Sequence, residues 1–139
     1  MDRIDQKILQ ELQADARLSI VELSRRVGLT KTPCAERVRR LEKAGVIRGY
    51  HAALDADAVG AGHVVLVQVL LSSTTEQDLR RFNEAVRRIP EIESCHMIAG
   101  DFDYLLKVRT RDINEYRKVM GEHISGLPSV KQTHTYVVM

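Results

Sequence analysis

Apolar residues near the start of the chain recur at helical spacing. Ile4, Ile8, Leu9 and Leu12 form the stripe of an amphipathic helix over about Ile4 to Ala14. Val21, Leu23 and Val27 predict a short second helix, with Ser19 as its N-cap and Glu22 three residues on completing a capping box. Gly28 ends that helix, because glycine takes the left-handed position after a helix without steric cost. Thr30 is placed to cap a third helix running to about Lys43, and Pro33 fits its first turn, where backbone N–H groups lack helical partners. Cys34, Val38 and Leu41 share one face of this helix, while Lys31, Thr32, Glu36, Arg37 and Arg40 point largely elsewhere. Ala44-Gly45 stops it, and Val46, Ile47, Tyr50 and Leu54 predict an extended segment leading out. Asp55 to Gly62, rich in Ala, Gly and Asp, reads as a hinge.

The second half changes character. His63 to Leu71 is a nearly continuous apolar strand, followed by the polar cluster Ser72-Ser73-Thr74-Thr75. A helix from about Glu76 to Arg88 carries Leu79, Phe82, Ala85, Val86 and Ile89 on one side, and Pro90 closes it. Ile92 to Ile98 and Tyr104 to Arg109 predict two strands joined by the turn Gly100-Asp101-Phe102-Asp103. Asp112 can cap a helix to about His123, and Val130 to Val138 makes a last strand. The order β-α-β-β-α-β is that of a ferredoxin-like sandwich, with two helices on one face of a four-stranded antiparallel sheet. The expected fold is therefore α+β: an N-terminal three-helix, winged-helix-like helix-turn-helix domain over residues 1–48, a hinge strand or linker over 49–62, and a ferredoxin-like domain over 63–139. No third layer remains to cover the other sheet face, so a second subunit is expected there.

Composition fits a folded chain: 44% of the 139 residues are apolar and 29% charged. No apolar run approaches the length of a membrane span, and the acidic start does not resemble a signal peptide, so a cytoplasmic location is expected. Cys34 and Cys95 are far apart and read as reduced, packed thiols. His51, His63, His96, His123 and His134 are scattered without metal-ligand spacing, and neither a catalytic triad pattern nor a phosphate-cradling glycine loop occurs. Neither metal, cofactor nor catalysis is expected.

Charge changes the picture more. The stretch from Arg25 to Arg48 carries a net +6 in a chain whose total is +2, leaving −4 for the remainder. A concentrated basic stretch on an otherwise acidic chain points to a polyanion, although a solvated helix face would look the same. Three helices with a glycine-containing turn before the third describe a helix-turn-helix, whose last helix enters the major groove. Thr32, Glu36 and Arg37 are then placed to meet base edges, while Arg39, Arg40 and Lys43 are placed to meet phosphates. Lys31 stands with them at the helix start, and Thr30 can offer a phosphate its hydroxyl together with the helix N-terminus.

Several strings together resemble the Lrp/AsnC family over nearly the whole chain: Asp2-Arg3-Ile4-Asp5, Val21-Glu22-Leu23-Ser24, Val27-Gly28-Leu29, Thr32-Pro33-Cys34, Glu36-Arg37-Val38-Arg39-Arg40-Leu41-Glu42, Gly100-Asp101-Phe102-Asp103-Tyr104-Leu105-Leu106 and Thr135-Tyr136-Val137-Val138-Met139. The resemblance implies a DNA-reading domain, a hinge strand and an amino-acid-binding domain. It further implies homodimers joined through their sheets and assembled into octamers, around which double-stranded DNA can wrap in the nucleoid. The effector, a small amino acid with leucine foremost, is expected near the turn matching Gly100 to Tyr104. Family chains usually carry a charged extension before the first helix and continue past the position of Met139, so a longer native chain is expected.

The turn also makes chemical sense as an amino-acid site. Asp101 or Asp103 can pair an α-ammonium, Gly100 lets ligand approach backbone N–H groups, and Met97, Ile98 and Ala99 can shape an apolar pocket. The same acids would equally serve a plain hairpin turn. Three functions follow: a ligand-gated transcription regulator, a nucleoid-organising protein that wraps DNA without ligand dependence, and, least supported, an amino-acid-handling enzyme using Asp101, Asp103 and His96.

Overall fold

The computed structural model describes residues 1–139, which pack as two units, Met1–Ala53 and Leu54–Met139. In the first unit, α1 (Arg3–Ala14), α2 (Ile20–Val27) and α3 (Lys31–Lys43) bury Ile8, Leu23, Val27, Cys34, Val38 and Leu41 in one core. The start of α1 carries a full capping box: the Asp2 side chain accepts from Asp5 N at 2.8 Å and the Asp5 side chain from Asp2 N at 3.2 Å. The capping box expected on α2 is only half formed. Ser19 accepts from Glu22 N, but the Glu22 carboxylate turns to Arg25 and Arg26, two cations one helical turn away. Gly28 takes the left-handed conformation at φ 74°, letting Leu29 N reach back to Ser24 O at 2.9 Å and setting the turn into α3.

The second unit is a four-stranded antiparallel sheet in the order β2-β3-β1-β4, built from β1 (His63–Leu71), β2 (Ile92–Met97), β3 (Tyr104–Thr110) and β4 (Val130–Val137). One face of the sheet packs against α4 (Glu76–Val86) and α5 (Ile113–Val119). Val65, Val67, Val69, Leu106 and Val108 meet Phe82, Val86, Tyr116 and Val119 there. Strict alternation along β1 and β3 turns Val64, Leu66, Gln68, Leu70, Leu105, Lys107 and Arg109 to the other face, where they are half-buried.

Two expectations need correction. The segment over 49–62 is no strand of this sheet, because extended backbone needs a partner ladder and finds none in the chain. Asp55 instead takes Ala58 N with its side chain, and Ala61 N donates to Ala56 O at 2.8 Å, folding residues 55–61 into a closed turn. A Cβ on Gly62 would lie 1.7 Å from Asp57 Oδ1, so a side chain there would require the Asp57 carboxylate to turn aside. The last helix reaches the expected end near His123, but its final turn is not α-helical. Met120–Ile124 forms a π-helical turn in which Ser125 N reaches Met120 O, a widening that follows the poor helix former Gly121.

Candidate nucleic-acid interface and ligand turn

Burial of Cys34, Val38 and Leu41 turns the opposite side of α3 outward, so Thr30, Lys31, Thr32, Glu36, Arg39, Arg40 and Lys43 are all exposed. Thr30 holds the N-cap position without using its hydroxyl, contrary to the expected cap bond, which leaves that hydroxyl available. Lys31, Arg39 and Lys43 have no carboxylate partner.

Arg37 is placed differently from its expected neighbours at the base edges. One position before Val38 and three after Cys34, it sits at the margin of the buried face, and its side chain is 24% exposed. Arg37 Nη1 donates to Asp2 Oδ2 at 2.6 Å and Asp5 Oδ1 at 2.9 Å, and Arg40 Nη2 reaches both Asp5 oxygens at 3.0–3.1 Å. The two acids of α1 were missed as site residues. The sequence signalled only their cap spacing ahead of the first helix, not their pairing with α3.

Burial pushes the Asp5 carboxyl up, but the hydrogen bond from Arg37 and the Asp2 backbone N–H outweigh it and hold it below the usual carboxylate range. The Asp5 backbone N–H and then Arg37 bring Asp2 down to about 2. Arg25 and then Arg26 do the same for Glu22, also to about 2. Folding thus lowers these pKa values, so their stabilisation is complete above the unfolded value near 4 and is lost as pH falls through the folded one. Hydrogen exchange of the full chain should therefore show α1–α3 losing protection between about pH 4 and pH 2. Protection that stays flat across this window would contradict the acid-arginine account.

In the second unit the β2–β3 connection is closed by Ile98 N donating to Asp103 O at 2.8 Å. Met97 is 63% exposed, Ile98 is half-buried, and Ala99, Gly100 and Asp101 are exposed. Asp103 is largely committed to the fold. Its carboxylate accepts from Leu71 N at 2.7 Å and its own N–H donates to Val69 O at 2.9 Å, clasping the end of β1. This leaves Asp101 as the free acid of the turn. A Cβ on Gly100 would meet only Ile98 Cγ2, at 3.6 Å, so the fold itself has room for a side chain there.

Tyr104 is 2% exposed, stacked on Phe82 with ring centroids 4.4 Å apart. Its buried hydroxyl makes no well-formed hydrogen bond. Met97 pairs with Tyr104 across the ladder, and both line an open cavity of about 280 Å³ with Asn83, Val86, Arg87 and Cys95. Ile98 to Asp103 lie outside that lining. Burial pushes the Cys34 and Cys95 thiols up, away from reactive thiolate. No group of three or more His, Cys, Asp or Glu side chains is close enough to hold a metal ion, and no helix is long and apolar enough to cross a membrane.

Comparison with known proteins agrees with these two units. Residues 1–48 match a winged helix-turn-helix DNA-binding domain, and residues 64–139 match the Lrp/AsnC ligand binding domain. The proline dehydrogenase transcriptional activator of Rhizobium radiobacter is 55% identical over all 139 residues, which cover 89% of that protein. The leucine-responsive regulatory protein of Escherichia coli K12 is 52% identical over the whole chain, which covers 85% of it. A transcriptional regulator of Neisseria meningitidis, solved with L-methionine, superimposes with a TM-score of 0.93 at 34% identity, covering 100% of this chain and 90% of that one. The chain therefore belongs to the Lrp/AsnC family, as a transcription regulator with an N-terminal helix-turn-helix for DNA and a C-terminal ligand-binding domain of ferredoxin-like fold.

Proposed function

We propose that this regulator reads double-stranded DNA with α3 and answers to a small amino acid, leucine first, received at the β2–β3 turn. The observation that carries the reading is the exposed face of α3, where three unpaired cations surround Thr32 and Glu36. Residues 1–48 are the DNA reader, 49–62 the linker and 63–139 the sensing and assembly domain. Thr30, Lys31, Thr32, Glu36, Arg39, Arg40 and Lys43 form the DNA-facing set, with Arg37 among them on α3 but bonded back to Asp2 and Asp5. Met97, Ile98, Ala99, Gly100, Asp101, Asp103 and Tyr104 form the effector site, with Asp101 positioned for the α-ammonium and backbone N–H groups for the α-carboxylate.

The half-buried outer sheet face supports assembly. Val64, Leu66, Leu70 and Leu105 give that face a half-buried apolar strip that a second copy can cover, so homodimers joined into octamers are the proposed state. The protein is non-enzymatic and acts in the cytoplasm on the nucleoid. By linkage, the amino acid works only by binding one assembly better than another.

Fluorescence anisotropy tests the reading. A duplex enriched by the protein from a randomised pool is titrated beside the unselected pool, with leucine and then each other amino acid. The selected duplex should bind about a thousandfold tighter or more at physiological salt, and one or a few amino acids should shift the curve. Arg39→Ala should weaken both duplexes evenly and reduce the salt slope by about one. Tight binding without selectivity or shift would instead favour a DNA-wrapping protein, to which the unpaired cations of α3 are equally suited.

A further inference from the structure

The side chains that hold α3 from behind belong to the start of α1. Asp5 is 3% exposed and serves as the hub. Its oxygens accept from Asp2 N, from Arg37 Nη1 and from Arg40 Nη2, while Asp2 gives Arg37 a second carboxylate. A buried carboxylate left without its cation is strongly unfavourable, so this is a contact that α3 does not readily surrender. The two arginines are not held alike. Arg40 remains 62% exposed and keeps N–H groups free for a phosphate, whereas Arg37 is mostly covered and engaged on one nitrogen by two acids. Reaching a base edge would require Arg37 to abandon Asp5.

We propose that Asp5 is a positioning residue for DNA recognition: it holds Arg37 off the duplex and fixes the approach of Arg40, leaving sequence to be read by Thr32 and Glu36. Those two stand on the exposed side of α3, and their groups suit base edges: a hydroxyl can meet either partner of a pair, and a carboxylate accepts from the cytosine amino group. Cations add phosphate contacts that carry no sequence information, so Arg37 released beside Thr32 and Glu36 would strengthen binding to any duplex. The acids of α1 thus limit how many cations the recognition helix presents.

The test uses the full chain with Asp5→Asn, close in shape and neutral, titrated from low to high salt against the selected duplex and the unselected pool. The dependence of log K on log salt should steepen by about one, because the released Arg37 neutralises one further phosphate. The preference for the selected duplex should fall about tenfold through tighter binding to the pool. Adding Arg37→Gln to Asp5→Asn should return the slope toward the original by about one. Asp2→Asn removes only the exposed acid and should steepen the slope by less than Asp5→Asn, which keeps the test open if the Asp5 variant does not fold. A merely structural role would lower affinity for both duplexes with the slope unchanged, and that result would overturn the proposal. So would a slope and preference unmoved in Asp5→Asn, or, where that variant does not fold, in Asp2→Asn. A loss of preference in Arg37→Gln alone with binding to the pool unchanged would make Arg37 a base reader and overturn it too.

Discussion

Under the proposed assembly through the outer sheet face, Leu66→Arg is expected to leave a folded monomer. Leu66 lies in mid-strand on the outer sheet face, opposite Lys107 on one side and Tyr136 on the other. It is half-buried and belongs to neither core, so an arginine there faces solvent in the single subunit and costs the fold little. Covered by a second copy, it would be a desolvated cation beside Lys107, at a cost of about 3 kcal/mol or more. A two-fold interface meets the substitution twice, so association should weaken by about ten-thousandfold. Analytical ultracentrifugation at micromolar protein measures this directly, with circular dichroism to verify the fold. An unchanged sedimentation profile would mean that assembly uses another surface.

Phe82→Ala is expected to destabilise the second unit by about 3–5 kcal/mol. Phe82 is fully buried between α4 and the sheet, and its ring backs Tyr104. Removing the ring opens a cavity whose walls are β-sheet, held by cross-strand hydrogen bonds and unable to collapse far. Tyr104 begins β3 immediately after the turn, so loss of its support should also blunt the amino-acid response. Urea unfolding followed by the near-ultraviolet dichroism of the tyrosines reads the stability change. A loss under about 1 kcal/mol would show that the core repacks around the gap.

Most of the fold was legible because local and tertiary demands coincide. Ile8, Leu23, Val38 and Leu41 are periodic in the sequence and buried in the structure, and the β-α-β-β-α-β order is realised with the expected two helices on one face. Misreadings occurred where side chains had a choice of partners. Glu22 has cap spacing but prefers two arginines on its own helix, and Thr30 has cap chemistry but makes no cap bond. Val46, Ile47, Tyr50 and Leu54 predicted an extended segment and the family resemblance a hinge strand, yet strand formation depends on a neighbour that no local pattern specifies. The candidate DNA face was readable from helical periodicity and charge. The two-acid hold on Arg37 was not, because it joins positions more than thirty residues apart.

The sequence by itself determined where the helices and strands lie, that a basic helix follows a glycine turn, and that an acid-bearing turn joins two strands of a sandwich. These follow from spacing, caps and turn residues, which act within a few positions of the chain. Tertiary structure alone decided which charges remain available. Asp103 is held by the end of β1, Asp101 is left free, Arg37 is turned back onto α1, and Lys31, Arg39 and Lys43 remain unpaired. The reason is geometric: a charge is neutralised by whatever the fold brings within about 3–4 Å, and that proximity arises only when distant segments pack.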